Sequence, residues 1–122
     1  MASIQHNGFS QSQNYLSQIF KALAHPARMA IIEKLLADEK VICKEFAYDF
    51  PLSQATISSH LKVLLESGVL GYEKIGNVTY YVINPMILES TKSWITETID
   101  ETQRQEHDYR GTYFKFLPME VN

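Results

Sequence analysis

The side chains best equipped for recognition chemistry lie close together, in the run LSQATISSHLKVLLESGVL at residues 52–70. At about 100° per residue, Ile57, Leu61 and Leu64 fall on one face of a helix. Ala55, Ser59, Lys62 and Glu66 fall on the other, flanked by Thr56 and Ser58. Ser and Thr are mediocre helix formers, so this face is not the usual Glu/Lys solvent surface. Small hydroxyls do have one advantage: they donate and accept hydrogen bonds at short reach, as close approach to base edges and phosphates in a DNA major groove requires. Gln54 can pair bidentately with adenine, and Lys62 can attract a phosphate. From Ser53 to Leu65 there is no acidic residue, and Glu66 sits a turn further from the helix start.

The elements that must position these residues follow from the pattern around them. Ser53 is a good N-cap, and Gly68 a left-handed terminator. Upstream, Leu16, Ile19, Phe20 and Leu23 are spaced as the face of an amphipathic helix, which His25-Pro26 ends. A second helix runs from Pro26 to about Ala37 and is expected to bury Met29, Ile32, Leu35 and Leu36. A short third helix around Ile42–Asp49 turns Phe46 and Ala47 inward. Downstream, VLGYEKIGNVTYYVI is two β-rich runs around Gly76-Asn77, a hairpin signal that pairs Ile75 with Val78, Tyr72 with Tyr81 and Leu70 with Ile83. The last two pairs share a face, expected to pack on the helices. Asn84-Pro85 opens a long final helix with Leu88, Ile95 and Ile99 at seven- and four-residue spacing and Trp94 beside them.

Composition fits one globular domain: 122 residues, 45% hydrophobic and 20% charged. No apolar run approaches the roughly 18 residues that cross a membrane, the start MASIQHNGFSQSQN is no secretory signal, and the single Cys43 excludes an intrachain disulfide framework. A cytoplasmic protein is the expectation. The net charge of −3 weighs against a protein that coats nucleic acid non-specifically, though not against a small, placed contact surface. Acids crowd the last third, at Glu89, Glu97, Asp100, Glu101, Glu106 and Asp108. The expected organisation is a flexible arm at 1–14, a domain at 15–107 with terminal dimerisation helices, and an aromatic tail at 108–122.

Three helices, a short turn between the last two and a twisted hairpin make a winged helix-turn-helix, mainly α with a small β wing. The segments ALAHPARMAIIEKLL, PLSQATISSHLKVLLESGVL and GNVTYYVINP also resemble the ArsR family of bacterial transcriptional repressors, over about residues 16–105. The resemblance implies a homodimer on double-stranded DNA, with an inverted-repeat operator and an interface from the first and last helices. Carried onto matching positions, it implies DNA contacts from Ser53, Gln54, Thr56, Ser58, Ser59 and Lys62, with the wing adding Lys74, Gly76 and Asn77. The interface would use Leu16, Ile19, Phe20, Leu23, Leu88, Trp94, Ile95 and Ile99.

Many members of that family release DNA on binding a metal, and their ligand positions do not match here. The Cys-x-Cys pair falls on Ile42 and Lys44, with Cys43 out of register between them. The Asp-x-His pair falls on Pro85 and Ile87, and the His-x-x-[His/Glu] pair on Thr98 and Glu101. One thiol and one carboxylate make neither site, so no metal and no cofactor are expected. His107 with Glu106 and Asp108 could form a weak zinc site across a dimer, although a solvated helix end is the plainer reading. Cys43 is a redox switch or a small hydrophobe, the latter more common. Arg28 reaches a phosphate or pairs with an acid such as Glu33. No phosphate loop, nucleophile elbow or His-Glu-x-x-His marks an enzyme, and neighbours in Ser58-Ser59-His60 point apart on a helix. Two rivals stand beside the DNA-binding regulator: a winged helix acting as a protein-interaction module, favoured by the negative charge and aromatic tail, and a sensor of a small apolar effector between the dimer's terminal helices.

Overall fold

The computed structural model describes residues 7–108 and 118–119; the side chains of 106–108 are outside the description. Expectations for residues 1–6, for most of the aromatic tail and for the side chain of His107 therefore lie outside the described residues. Helix α1 (Gln11–Leu23) begins four residues ahead of Tyr15, within the polar run expected as an arm. The cause is a capping box: Gln13 N–H donates to Ser10 Oγ at 3.0 Å, and Ser10 N–H to Gln13 Oε1 at 2.9 Å.

Helix α2 (Pro26–Asp38) follows with Pro26 in its first turn, where a missing N–H costs nothing. It buries Ile31 and Leu35, while Met29 and Leu36, expected inside, are exposed. The doublets Ile31-Ile32 and Leu35-Leu36 fit two helical faces equally well, and packing against the other helices selects the one that includes Ile31. Lys34 joins Asp38 at 3.0 Å and also reaches Asp49, tying α2 to the end of α3 (Cys43–Asp49). Between them the chain turns at Glu39, φ +64°, under a Lys40 N–H to Asp38 carbonyl bond of 2.7 Å. A non-glycine residue there stores on the order of 1–3 kcal/mol. The turn delivers Val41 to Tyr81, with which it exchanges backbone hydrogen bonds of 3.3 and 2.9 Å.

Helix α4 (Gln54–Glu66) packs Ile57, Leu61 and Leu64 into a core shared with Ile19, Ile31, Leu35, Val41, Phe46 and Val69. Strands β1 (Leu70–Ile75) and β2 (Val78–Ile83) pair antiparallel in the expected register, Ile75 with Val78 through Leu70 with Ile83. Leu70 is buried, and Tyr81 and Ile83 pack on the core, but Tyr72 is exposed. The hairpin projects past the helices, so its base packs and its outer half does not. Helix α5 (Pro85–Asp108) starts at Asn84, whose Oδ1 accepts from Met86 N–H at 3.1 Å. Its first third, up to Lys92, belongs with the helices and wing; from Ser93 it enters a second unit. Within that second unit Ile95 and Ile99, one helical turn apart, are 42% and 50% exposed. No helix of the described residues is long and apolar enough to cross a membrane.

Candidate nucleic-acid interface

The face of α4 turned away from the core is set by its first turn. Ser53 caps the helix, its Oγ accepting from Thr56 N–H at 3.1 Å and lying in hydrogen-bond reach of Thr56 Oγ1 at 3.0 Å. With the start pinned and Ile57, Leu61 and Leu64 buried, Gln54, Ala55, Thr56, Ser58, Ser59 and Lys62 are all exposed. The helix α3 side is held by Phe46, fully buried beside Phe50 with ring centroids 6.1 Å apart. Cys43, the first residue of α3, lies with Sγ 4.0 Å from the carbonyl of Gln54, the first residue of α4. Burial pushes its thiol above the usual range, which leaves less thiolate to oxidise and fits the small-hydrophobe reading.

The predicted contact residues therefore share one surface without being equivalent. Gln54, Thr56 and Ser58 point out with chemistry to offer. Ser59 donates its proton to the Ala55 carbonyl at 3.1 Å, the usual back-bond of a mid-helix serine. Lys62 Nζ stands 3.9 Å from Glu66 Oε1, an exposed i,i+4 pair too weak to hold the ammonium against a phosphate. On the wing, Lys74 pairs across the sheet with Thr79, and Gly76-Asn77 form the turn. Only Gly76 of the two has positive φ, +62°, the type II′ pattern that suits a twisted hairpin. Tyr72, Ile75 and Val78 are exposed on the same hairpin.

Two neighbours of this surface escaped sequence reasoning. Lys40 Nζ lies 5.2 Å from the centroid of Tyr80, bringing the α2–α3 turn against the wing. The rings of His25 and His60 meet at 4.4 Å, linking the N-cap of α2 to α4. His25 Nδ1 accepts from Ala27 N–H at 3.0 Å, a role that requires the nitrogen to be unprotonated. Arg28, close by, has a buried Nε without a hydrogen-bond partner. The His-Pro dipeptide signalled the corner, but nothing in the spacing of His25 and His60 announces that they touch.

Burial, then the charges of His25 and Arg28, hold His60 below its usual pKa of 6.5. The unfolded chain thus takes up a proton that the folded chain resists. The contribution of His60 to stability is present above its unfolded value of 6.5 and is lost as pH falls below that toward the lower folded value. The urea midpoint is expected to drop between pH 7.5 and 5.5, and a His60→Gln chain should show a shallower drop; equal drops would mean that other groups carry the acid sensitivity.

Among the described residues, no three His, Cys, Asp or Glu side chains come together as metal ligands. For the dimer set the picture is mixed. Leu16 and Ile19 are buried in the chain's own core and Phe20, Leu23 and Leu88 are half-buried against it, so α1 offers a partner less than its stripe implied. Trp94, Ile95 and Ile99 remain exposed.

Residues 23–71 match the family model described as a helix-turn-helix domain. Among curated relatives, the transcriptional repressor SdpR of Bacillus subtilis is 28% identical over 86 residues, 70% of this chain and 94% of that protein. The arsenical resistance operon repressor of Staphylococcus xylosus is 32% identical over 89 residues, 73% of this chain and 81% of that protein. Among solved structures, an ArsR-like transcriptional regulator from Rhodococcus sp. RHA1 superposes with a TM-score of 0.70, covering 80% of this chain and 91% of that one; at 23% identity it speaks to the fold alone.

Proposed function

The chain belongs to the ArsR family of winged helix-turn-helix transcriptional regulators, and from that premise we propose that it is a homodimeric repressor reading an inverted-repeat operator with α4. One observation supports this reading above the rest. The exposed face of α4 carries Gln54, Thr56, Ser58, Ser59 and Lys62 and no acid before Glu66, on a chain whose net charge is −3. A merely solvated helix on an acidic protein has no reason to exclude carboxylates from about three turns of one face, whereas a helix seated between phosphate strands does.

The roles divide by chemistry. Gln54, at the first helical position, reads a base edge; Lys62, further along, neutralises phosphate; the Lys74 ammonium and the Gly76-Asn77 turn place the wing on the flanking backbone. The dimer forms through the exposed Ile95 and Ile99 of α5. Two-fold symmetry then sets the two recognition helices on half-sites about one helical turn, roughly 34–36 Å, apart.

The reading is tested by fluorescence anisotropy with DNA from immediately upstream of the gene, at two salt concentrations, against random competitor. Tight binding that survives competition is expected; binding no better than to random DNA sinks the reading and favours a protein-interaction module. Lys62→Ala should weaken binding to every sequence and reduce the salt slope by about one per half-site. Gln54→Ala should cost about 1–3 kcal/mol at its own base pair and relax the preference there. Equal losses on specific and random DNA for both variants would contradict the division.

A further inference from the structure

A helix about 10–12 Å across fills a major groove about 12 Å wide, so each of its flanks runs beside a phosphate strand. Helix α4 has one Lys and no Arg, and Lys62 can serve only the flank it stands on. His60 lies two residues before Lys62, about 160° around the axis, on the flank where Thr56 stands one turn earlier. On that side α4 brings no Lys or Arg of its own.

That flank is where the start of α2 meets α4. The rings of His25 and His60 lie 4.4 Å apart, and Arg28 is near enough for its charge to act on His60. Because His25 Nδ1 accepts from Ala27 N–H, the ring carries its proton on Nε2, where the cap does not use it. Arg28 is half-buried with its Nε enclosed and without a hydrogen-bond partner, and it makes no ion pair among the described residues. Pairing with an acid such as Glu33 is therefore not made. The charges that act on His60 are those of His25 and Arg28, with no carboxylate among them. Three nitrogen-bearing side chains from two elements thus converge with nothing to balance them, an arrangement that costs stability through repulsion and desolvation. Such a cluster has a use where a ligand supplies the opposite charge.

We propose that His25, Arg28 and His60 form a phosphate site on the flank of α4 opposite Lys62, holding a backbone phosphate of the second DNA strand. Arg28 supplies the charge, and the two imidazoles donate N–H groups. The site rests on the DNA-binding reading above and adds to it a contact made from α2, outside the helix-turn-helix. With Lys62 on one strand and this cluster on the other, α4 is gripped from both sides of the groove.

The test is a phosphate-by-phosphate scan of the upstream duplex, each backbone phosphate replaced in turn by a neutral methylphosphonate and affinity read by anisotropy. With wild-type protein, each linkage that the protein holds is expected to cost on the order of tenfold. Arg28→Gln should lose a similar factor on unmodified DNA, upstream or random, and lower the salt slope by about one per half-site. At one phosphate of each half-site, and there alone, its loss and the methylphosphonate loss should not add. Lys62→Ala should show the same non-additivity at a phosphate of the opposite strand. His25→Asn, which keeps a capping side chain but no imidazole, should couple to the same phosphate as Arg28→Gln. Arg28→Lys should restore the salt slope.

Losses that add at every phosphate, for Arg28→Gln and His25→Asn alike, overturn the site, since the cluster would then act only through the fold. Coupling of Arg28 and Lys62 to one strand overturns the grip across the groove. Should Arg28→Gln not fold, His25→Asn reads the same coupling from an exposed position. Failure of the underlying reading looks different: wild-type protein would bind the upstream duplex no better than random DNA.

Discussion

Replacing Ile95 and Ile99 together by Glu is expected to yield a folded monomer that binds its operator at least about 100-fold more weakly than wild type. Full burial of an Ile side chain is worth about 1.5–3 kcal/mol. Ile95 and Ile99 are 42% and 50% exposed, so part of that burial is still to be gained from a partner. About 1 kcal/mol per side chain is a fair share, and a two-fold axis presents each residue twice. The sum, about 4 kcal/mol, is roughly three decades in the dimer dissociation constant. Four new carboxylates beside Glu97, Asp100 and Glu101 add repulsion to that loss.

DNA binding follows because the second half-site is then no longer held at high effective concentration, and avidity between linked sites is typically worth two to four decades. Sedimentation at micromolar protein reads the mass, and anisotropy on the upstream duplex reads the affinity. Circular dichroism should be unchanged, since both positions are exposed within the chain. A variant that stays dimeric with wild-type affinity would place the interface elsewhere.

The elements of the fold were legible where a local rule fixes them. Gly76-Asn77 between β-rich runs determined the register of the wing, and Ser53 marked the start of α4. What failed were decisions that no local rule makes. Ile31-Ile32 and Leu35-Leu36 leave the inward face of α2 open, and tertiary packing turned Met29 and Leu36 outward. Helix α1 starts earlier than its apolar stripe because the Ser10–Gln13 box is polar and sits in a Gln/Ser run that reads as an arm.

The candidate site divides in the same way. Exposure of Thr56, Ser58, Ser59 and Lys62 followed from periodicity. That Ser59 turns its proton back onto the Ala55 carbonyl did not, because periodicity places a side chain on a face without saying where its hydroxyl turns. The apolar stripe of α1 is ambiguous for a related reason. An apolar face says that something covers it, not whether the cover is the same chain, and Leu16 and Ile19 are covered by their own core.

Phe46→Ala should come close to unfolding the protein, and it separates what holds the recognition helix from what decorates it. Phe46 is fully buried, at the centre of α3, in the cluster that also holds Ile57, Leu61 and Leu64 of α4. Truncating a buried Phe costs about 3–5 kcal/mol through lost transfer energy and the cavity left behind. A domain of this size has about 5–15 kcal/mol of stability in all. The expected result is therefore a large fall in urea midpoint and loss of specific DNA binding at temperatures where wild type is folded. Tyr48, two residues along the same short helix, is 89% exposed, and Tyr48→Ala should change stability by no more than about 0.5 kcal/mol. The contrast identifies the face: α3 contributes by packing Phe46 under α4, so that the polar side of α4 is presented at a fixed angle. Comparable losses for the two substitutions would mean that α3 carries its weight on the outer surface, and α4 would need another support.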